Sequence, residues 1–378
     1  MRLKPKILDR YLCREFVATL VGVLTACAVV LLVAKIFEEF DNIMESHVPL
    51  VEAAKYFLFV LPFRVLEVVP LATMLAVIFS VGTLAQNREM LAITSSGRSP
   101  YRSAAPVLAG ALVVALLALG LNETFVPYCQ ARAEYYEDVV IKGRGERSLA
   151  RRSNIFDKGI GNTFFMVAAF DARTNRMDSV LIFEQSADSM VWRYSLKAES
   201  ADLVREDVAP DRDLWRLEKA VEHFYDEQGR PVRMVSHTEP LERELEAGLD
   251  QYLATRKEPE QMNLAELSRY IRTLKMRGLA KEEISVYLTD WHLKLAFPFS
   301  TVILAMIAFA LSVRVHTASL PLAFGVGIFL TMVFYALAAL GQTLGHIAVV
   351  PPSVGALGPL ALFLGLGIYL IRRSGFAT

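Results

Sequence analysis

Six long apolar runs limit what this chain can fold into more than any other feature. In chain order they cover residues 16–34, 56–84, 104–121, 293–313, 320–345 and 355–371. A helix of about 20 residues is long enough to cross the roughly 30 Å hydrocarbon core of a bilayer. The chain is 54% hydrophobic, yet 21% of its residues are charged, so the polar residues must occupy separate blocks. The runs therefore predict an integral membrane protein with six transmembrane helices.

The first run has a cleaved signal peptide as its alternative. Residues 26–28, Ala-Cys-Ala, resemble a cleavage site. Strong hydrophobicity continues beyond them through residues 29–33, which makes the run too long for the apolar core of a signal peptide. We therefore expect an uncleaved membrane anchor.

The charges of the short loops predict the orientation in the membrane, because cytoplasmic loops carry an excess of Lys and Arg. With six crossings, four basic stretches fall on one side. Their basic residues are Arg2, Lys4, Lys6, Arg10, Arg14, Arg88, Arg98, Arg102, Arg314, Arg372 and Arg373. The opposite loops are residues 37–54, which are rich in Asp and Glu, and residues 346–354, which contain no Lys or Arg. Both termini are therefore expected in the cytoplasm.

The long segment between the third and fourth runs, residues 122–290, is then expected outside the cytoplasm as an inserted all-β domain. Its β-forming runs cover residues 163–170, 179–183, 190–196, 214–224 and 232–235. Short strands at this spacing are typical of a sandwich, a jelly roll or a partial barrel. The flanks read as helices: residues 126–141 extend the third span, and Asn263 with Glu266 forms a capping box at the start of a helix that Gly278 ends.

Several function classes lack their sequence signals. The formal net charge is zero, so no basic face indicates binding to nucleic acid. The three cysteines predict neither a disulfide framework nor a zinc site, and we expect no metal and no cofactor. No G-x-x-x-x-G-K-[ST] loop, H-E-x-x-H or G-x-S-x-G motif is present in the sequence. The chain is therefore not expected to be an enzyme or to hydrolyse nucleotide itself.

The basic loop of residues 86–102 is the first candidate functional segment. Residues 86–94 predict a short amphipathic helix in which Met90, Leu91 and Ile93 are available for packing. The segment either turns the chain between two spans or forms a rigid lever on which a cytoplasmic partner presses. Its spacing alone slightly favours a simple turn.

Charged residues in or beside the spans are the other candidates. Lys35 follows the first run, where its ammonium group either snorkels to the interface or binds a lipid phosphate. Arg64 and Glu67 lie three residues apart inside the second run and can face each other on a helix. Ionisable residues within a membrane are functional candidates by default, although a structural pair or packing against a partner subunit is an equally good explanation.

The residues resemble a known family, the LptF/LptG permeases of the lipopolysaccharide export transporter. The loop QNREMLAITSSGRS is similar to the short cytoplasmic segment of those permeases. The resemblance covers nearly the whole chain, and its further motifs are LDRY at residues 8–11, LP at 61–62, NE at 122–123, VP at 126–127, NIF at 154–156, GN at 161–162, FE at 183–184, WRL at 215–217, LSRYI at 267–271 and LAFP at 295–298. No single piece is diagnostic, but their order is specific. The LDRY motif and the second span are closer to LptG than to LptF.

The resemblance implies a permease that pairs with a second LptF/LptG-type subunit above an LptB-type ATPase dimer. It implies that lipopolysaccharide passes through a periplasmic β-jellyroll domain toward LptC- and LptA-type jellyroll proteins. Residues 86–96 would then form the coupling helix, in which Glu89 matches the glutamate that contacts the ATPase and Arg88, Met90 and Leu91 lie beside it. Lys35 matches a lysine that meets lipopolysaccharide phosphate, and Arg64 is carried over as a second substrate contact.

The expected division is residues 1–121 with three membrane helices, 122–290 with the jellyroll-like domain, and 291–378 with three more membrane helices. Two departures from the family pattern stand out: residues 37–41 are acidic where some members are basic, and Arg64 lies one place from a basic position of some relatives. The alternative functions are a mechanotransmission or envelope-signalling protein driven by an ATPase, and an intramembrane enzyme. Mechanotransmission proteins usually place the large domain after the first span, which counts against that alternative.

Overall fold

The computed structural model describes the chain except for residues 1–6, 47, 96–99, 143–150, 159–161, 172, 187–190, 210–211, 247–258, 277–280, 314–319 and 375–378. The predicted end of the loop helix at Ser96 and Gly97, the basic turn at Arg314 and the helix stop at Gly278 lie outside the described residues. The chain divides into two compact units. The first contains Met1–Glu134, Pro259–Arg269 and Lys281–Thr378, and the second contains Tyr135–Glu258 and Tyr270–Ala280.

Nine α-helices carry the apolar runs and their flanks in the described part of the chain. They are α1 Ile7–Glu45, α2 Leu50–Gln86, α3 Glu89–Ser95, α4 Pro100–Tyr135, α5 Leu264–Met276, α6 Lys281–Ala296, α7 Ser300–Ser312, α8 Leu320–His346 and α9 Pro352–Ser374. A π-helical turn, Tyr136–Ile141, continues α4, and a 3-10 turn, Phe297–Phe299, joins α6 to α7. Six continuous helical stretches are long and apolar enough to cross a membrane, which confirms the six predicted spans.

The helices extend well beyond the apolar runs, since polar residues at their ends are also good helix formers. Pro62 and Pro70 lie inside α2 without ending it, as is common where neighbouring helices supply replacement contacts. The core of the first unit is built around α2 and α7: side chains such as Met74, Ile78 and Phe309 are fully or almost fully buried. The apolar side chains of α1, in contrast, are largely exposed on the isolated chain.

Glycines allow α8 and α9 to approach each other closely. A Cβ atom at Gly341 would lie 2.3 Å from the carbonyl oxygen of Gly355, whereas a Cβ atom at Gly325 would meet nothing within 4 Å. Backbone cannot move aside as a flexible side chain can, so the packing of these two helices depends on Gly341. Small residues at helix contacts are the usual means of close packing in membranes.

The second unit is an antiparallel sheet. Its strands are β1 Arg151–Lys158, β2 Thr163–Asp171, β3 Arg176–Gln185, β4 Trp192–Ala209, β5 Arg212–Glu218, β6 Val221–Tyr225, β7 Pro231–Ser236 and β8 Leu241–Glu246. The order is β1-β2-β3-β4-β5-β8, and the β6–β7 hairpin branches from β4. The long strand β4 pairs with β6 near Tyr194–Lys197 and with β5 from Ser200 onward. The all-β core of the inserted segment is confirmed.

The strand predictions differ from the structure in three respects. Strand β4 extends to Ala209, well beyond the predicted run of residues 190–196. The run of residues 214–224 is divided into β5 and β6, where Lys219 adopts a left-handed conformation with φ of 50°. Strands β1 and β8 were not predicted, because their sequences RRSNIFDK and LERELE are mostly polar and give little apolar signal. Their partners β2 and β5 define them as strands.

A buried carboxylate connects the two branches of the sheet. Glu222 on β6 accepts hydrogen bonds from Tyr194 Oη on β4 at 2.5 Å and from Arg243 Nη1 on β8 at 2.8 Å, and His237 Nε2 lies 2.9 Å from its second oxygen. Burial raises the pKa of Glu222, but the hydrogen bonds of Tyr194 and His237 and the positive charge of Arg243 outweigh it, so that the pKa is lowered. The ionised carboxylate is therefore the form that holds the branches together.

The predicted capping box is confirmed. Asn263 Oδ1 accepts a hydrogen bond from the Glu266 N–H at 2.7 Å, and Glu266 Oε2 accepts one from the Asn263 N–H at 3.2 Å. Glu123 Oε2 on α4 also accepts a hydrogen bond from the Leu264 N–H at 2.8 Å. Three of the N–H groups at the start of α5 are thus satisfied by side chains. The predicted extension of the third span is also present, as α4 and its π-helical continuation to Ile141.

Candidate functional site

The segment between α2 and α4 forms the first candidate site. Arg88, with a φ of 60°, breaks the helix between α2 and α3, and the short helix α3 begins at Glu89. Met90 is buried in the core of the first unit, while Leu91 is 63% exposed. Of the residues predicted to be available for packing, Met90 therefore packs inside, whereas Leu91 is exposed. The helix also begins at Glu89 rather than at residue 86, which ends α2.

Glu89 is hydrogen-bonded to the first helix of the chain. Its Oε2 accepts a hydrogen bond of 3.0 Å from the hydroxyl group of Tyr11, which lies in the second turn of α1. This contact does not follow from the sequence, because the two residues are separated by 78 positions. The only sequence signal is indirect: both residues belong to motifs that the family resemblance singles out.

Lys35 is the centre of a charged cluster on α1. Its Nζ lies 2.9 Å from Glu39 Oε1 and 3.2 Å from Glu38 Oε1. The Lys35 and Glu39 side chains are only 14% and 8% exposed, respectively, and Asn42 Nδ2 donates to the other oxygen of Glu39 at 2.9 Å. The acidic departure noted in the sequence therefore places two carboxylates on this ammonium group. Any phosphate that binds Lys35 has to share it with them.

Arg64 and Glu67 face each other on α2, as their spacing predicts. Arg64 Nη1 lies 3.3 Å from Glu67 Oε2, and both side chains are about half exposed. The hydroxyl of Tyr335 on α8 donates to the backbone oxygen of Glu67 at 2.9 Å. The pair thus lies where α2 and α8 meet, and its exposed charges remain accessible from outside the isolated chain.

The structure separates Glu89 from Lys35 along α1. Glu89 is joined to the beginning of α1 through Tyr11, whereas Lys35 lies in the last third of the same helix. Between Tyr11 and Lys35, an α-helix rises about 36 Å at about 1.5 Å per residue. The candidate coupling residue and the candidate substrate contact are therefore at opposite ends of one helix.

A cavity of about 540 Å³ within the first unit was not predicted from the sequence. It is lined mainly by apolar residues of α2, α4, α6 and α8, which are distant in the sequence. Asp290 lies on its wall and accepts a hydrogen bond from Gln342 Nε2 at 2.9 Å, and His346 Nε2 lies 2.8 Å from the same carboxylate oxygen. His346 thus has a carboxylate partner beside the cavity. Among the described residues, no cluster of three or more His, Cys, Asp or Glu side chains could hold a metal ion.

Six apolar helical stretches, with an antiparallel-sheet domain inserted between the third and fourth, define a multi-pass membrane protein with an inserted β domain. A family model described as "Lipopolysaccharide export system permease LptF/LptG" matches residues 10–373. The chain belongs to this family.

Curated relatives agree with the closer resemblance to LptG. The chain is 22% identical over 374 residues to the lipopolysaccharide export system permease protein LptG of Escherichia coli K12, a match that covers 97% of this chain and 98% of the relative. The LptG protein of Escherichia coli O6:H1 gives the same values. The LptG protein of Haemophilus influenzae is 22% identical over 377 residues, with the same coverage of both chains.

Proposed function

We propose that this chain is the LptG-type permease subunit of an ABC transporter that extracts lipopolysaccharide from the inner membrane. The observation that carries the proposal is the family match across nearly the whole chain, together with relatives of the same length that are named LptG. The alternative of a mechanotransmission protein is not favoured, because the domain is inserted between the third and fourth spans.

The proposed partners are a second LptF/LptG-type permease, an LptB-type ATPase dimer, and LptC- and LptA-type jellyroll proteins that accept the lipid. Both termini and α3 face the cytoplasm, and the sheet domain, jellyroll-like in this proposal, faces the periplasm; the loop charges support this orientation. The large exposed apolar area of α1 supports an interface with lipid and with the second permease. The chain contributes no nucleotide site, so the ATPase supplies the energy.

In the proposed mechanism, α3 is the coupling helix. ATP-driven closure of the ATPase dimer pushes on the outer side of α3, where Leu91 is exposed and Glu89 is partly exposed, and on the exposed Arg88 that precedes it. Burial of Met90 in the core supports transmission of this movement, because a packed side chain moves together with its neighbours. The cavity between the two permease subunits then narrows and expels the lipid, for which Lys35 and Arg64 provide phosphate contacts.

The test is lipopolysaccharide release from proteoliposomes that contain the assembled permease pair and the ATPase. Glu89→Arg should abolish ATP-driven release, because it reverses the charge presented to the ATPase. Glu282→Arg is the matched control: Glu282 is an exposed glutamate in the first turn of α6, and its reversal should leave release unchanged. Full release by Glu89→Arg, or by the permease pair without any ATPase, would refute the proposed coupling.

A further inference from the structure

The first turns of α1 contact both ends of the segment that joins α2 to α4. The Tyr11 hydroxyl donates to Glu89 Oε2 at 3.0 Å, at the start of α3. Arg102 Nη2, in the first turn of α4, donates to Asp9 Oδ2 at 3.4 Å. Asp9 and Tyr11 belong to the LDRY motif of residues 8–11, to which the proposed function assigns no role.

The geometry of α1 explains how two residues so close together reach two different elements. Residues two positions apart point to different sides of a helix, so Tyr11 reaches α3 while Asp9 reaches α4. The helix itself is fixed beside them, because Leu12 and Phe16 are buried at 2% and 0% exposure. Phe16 packs against Gly110 of α4, where a Cβ atom would lie 3.0 Å from its ring. The beginning of α1 is therefore a firmly packed support for the contacts.

The conformation of the residue between α2 and α3, Arg88, has to be fixed by contacts of its neighbours. Arg88 adopts a left-handed conformation with φ of 60°, which costs a non-glycine residue free energy and persists only where its surroundings fix it. On the α3 side of Arg88, Met90 is buried and the Glu89 carboxylate is held by Tyr11. The direction in which α3 leaves α2 is therefore fixed by the burial of Met90 and by the hydrogen bond from Tyr11 of α1.

We propose that Asp9 and Tyr11 are positioning residues that clamp the coupling segment to α1, so that α1 moves together with α3 and α4 when the ATPase closes. This inference rests on the proposed function of α3. Tyr11 occupies one oxygen of Glu89 and leaves Oε1 to accept a donor from the ATPase. The same helix carries Lys35, the predicted phosphate contact, about 36 Å from Tyr11. A movement of the start of α1 is therefore transmitted along one continuous helix to Lys35. The transmission thus involves three membrane helices and not only the two that α3 connects.

The decisive variant is Tyr11→Phe in the complete complex, reconstituted with the second permease and the ATPase. It removes one hydroxyl group and keeps the aromatic ring. The quantity to measure is lipopolysaccharide released per ATP hydrolysed. Loss of one hydrogen bond to a carboxylate corresponds to a decrease of about fivefold or more in this ratio. ATP hydrolysis should continue, because the substitution affects only the transfer of movement from α3 to α1. The control is Tyr369→Phe, which removes another exposed tyrosine hydroxyl that is hydrogen-bonded within its own helix, to Arg373.

A second measurement does not depend on transport. Amide hydrogen exchange of residues 89–95 in the nucleotide-free complex should become about fivefold faster in Tyr11→Phe, and Asp9→Asn should accelerate exchange at the start of α4. Unchanged release per ATP in both variants, or unchanged exchange in both segments, would overturn the clamp. If the clamp is overturned in this way but Glu89→Arg still abolishes release, the proposed function of α3 remains supported. Full release by Glu89→Arg refutes the coupling role of α3 itself.

Discussion

The structural and functional roles of Lys35 can be separated by mutation, because its partner Glu39 can be changed independently. The two side chains form a 2.9 Å ion pair and are 14% and 8% exposed. In the Lys35→Met variant, Glu39 loses its ion pair and keeps the hydrogen bond from Asn42. In the Glu39→Gln variant, Lys35 keeps Glu38 at 3.2 Å, and the glutamine can still accept from Asn42. The two single changes are therefore not equivalent.

The expected magnitudes follow from this asymmetry. Removing one partner of a buried ion pair costs roughly 3–5 kcal/mol, because the other charge remains buried without compensation. Lys35→Met should lower the free energy of unfolding by about 3 kcal/mol, since Asn42 still donates a hydrogen bond to the Glu39 carboxylate. Glu39→Gln should cost only about 1 kcal/mol, because Glu38 still neutralises the lysine. The double variant contains no unpaired buried charge and should lie within about 1 kcal/mol of the unmodified chain, which is well below the sum of the two single effects.

The assay combines unfolding of the detergent-solubilised chain with lipopolysaccharide release from the reconstituted complex. If Lys35 binds phosphate, the double variant regains stability but not release. If release returns together with stability, Lys35 only balances Glu39 and its proposed role as a substrate contact is wrong. If Lys35→Met does not lower stability, the argument from the buried pair is itself refuted.

Three further predictions concern other parts of the chain. Glu222→Gln should destabilise the sheet domain by about 2 kcal/mol at pH 7; because the pKa of Glu222 is lowered, the stabilisation is present above the unfolded pKa of about 4.3 and is lost as the pH falls further. Hydrogen exchange of β6–β8 at pH 7 and pH 4 should show the difference between the two proteins shrinking on acidification, and an equal difference at both values would contradict this. Gly341→Ala should cost about 1–3 kcal/mol in thermal unfolding through its contact with Gly355, whereas Gly325→Ala, which meets open space, should be neutral; equal effects would show that the close approach is not limiting. Thr301→Val should be neutral or stabilising by up to about 1 kcal/mol, because the buried Thr301 hydroxyl has no hydrogen-bond partner among the described residues; a clear loss of stability in thermal unfolding would reveal a partner for it.

Much of the architecture follows from local patterns in the sequence. Hydropathy alone locates the six spans, because a helix in lipid satisfies its backbone internally and needs only about 20 apolar residues. The capping box at Asn263 and the pair of Arg64 with Glu67 depend only on helical spacing of three residues, and both form as predicted. The pairing of Lys35 with Glu39 has the same origin: their spacing of four positions was visible in the sequence, but the acidic stretch was interpreted only as a departure from the family.

Contacts between distant parts of the chain were decided by the tertiary structure. Strands β1 and β8 carry little apolar signal and exist because β2 and β5 pair with them. The hydrogen bond between Tyr11 and Glu89 depends on how α1 packs beside α2, the helix that precedes α3, and no short-range pattern encodes that packing. The sequence by itself therefore determined the six membrane spans, the β character of the inserted domain and the resemblance to the family. Only the packed structure decided that the start of α1 is hydrogen-bonded to the start of α3, since a contact between residues 78 positions apart depends on how the helices pack.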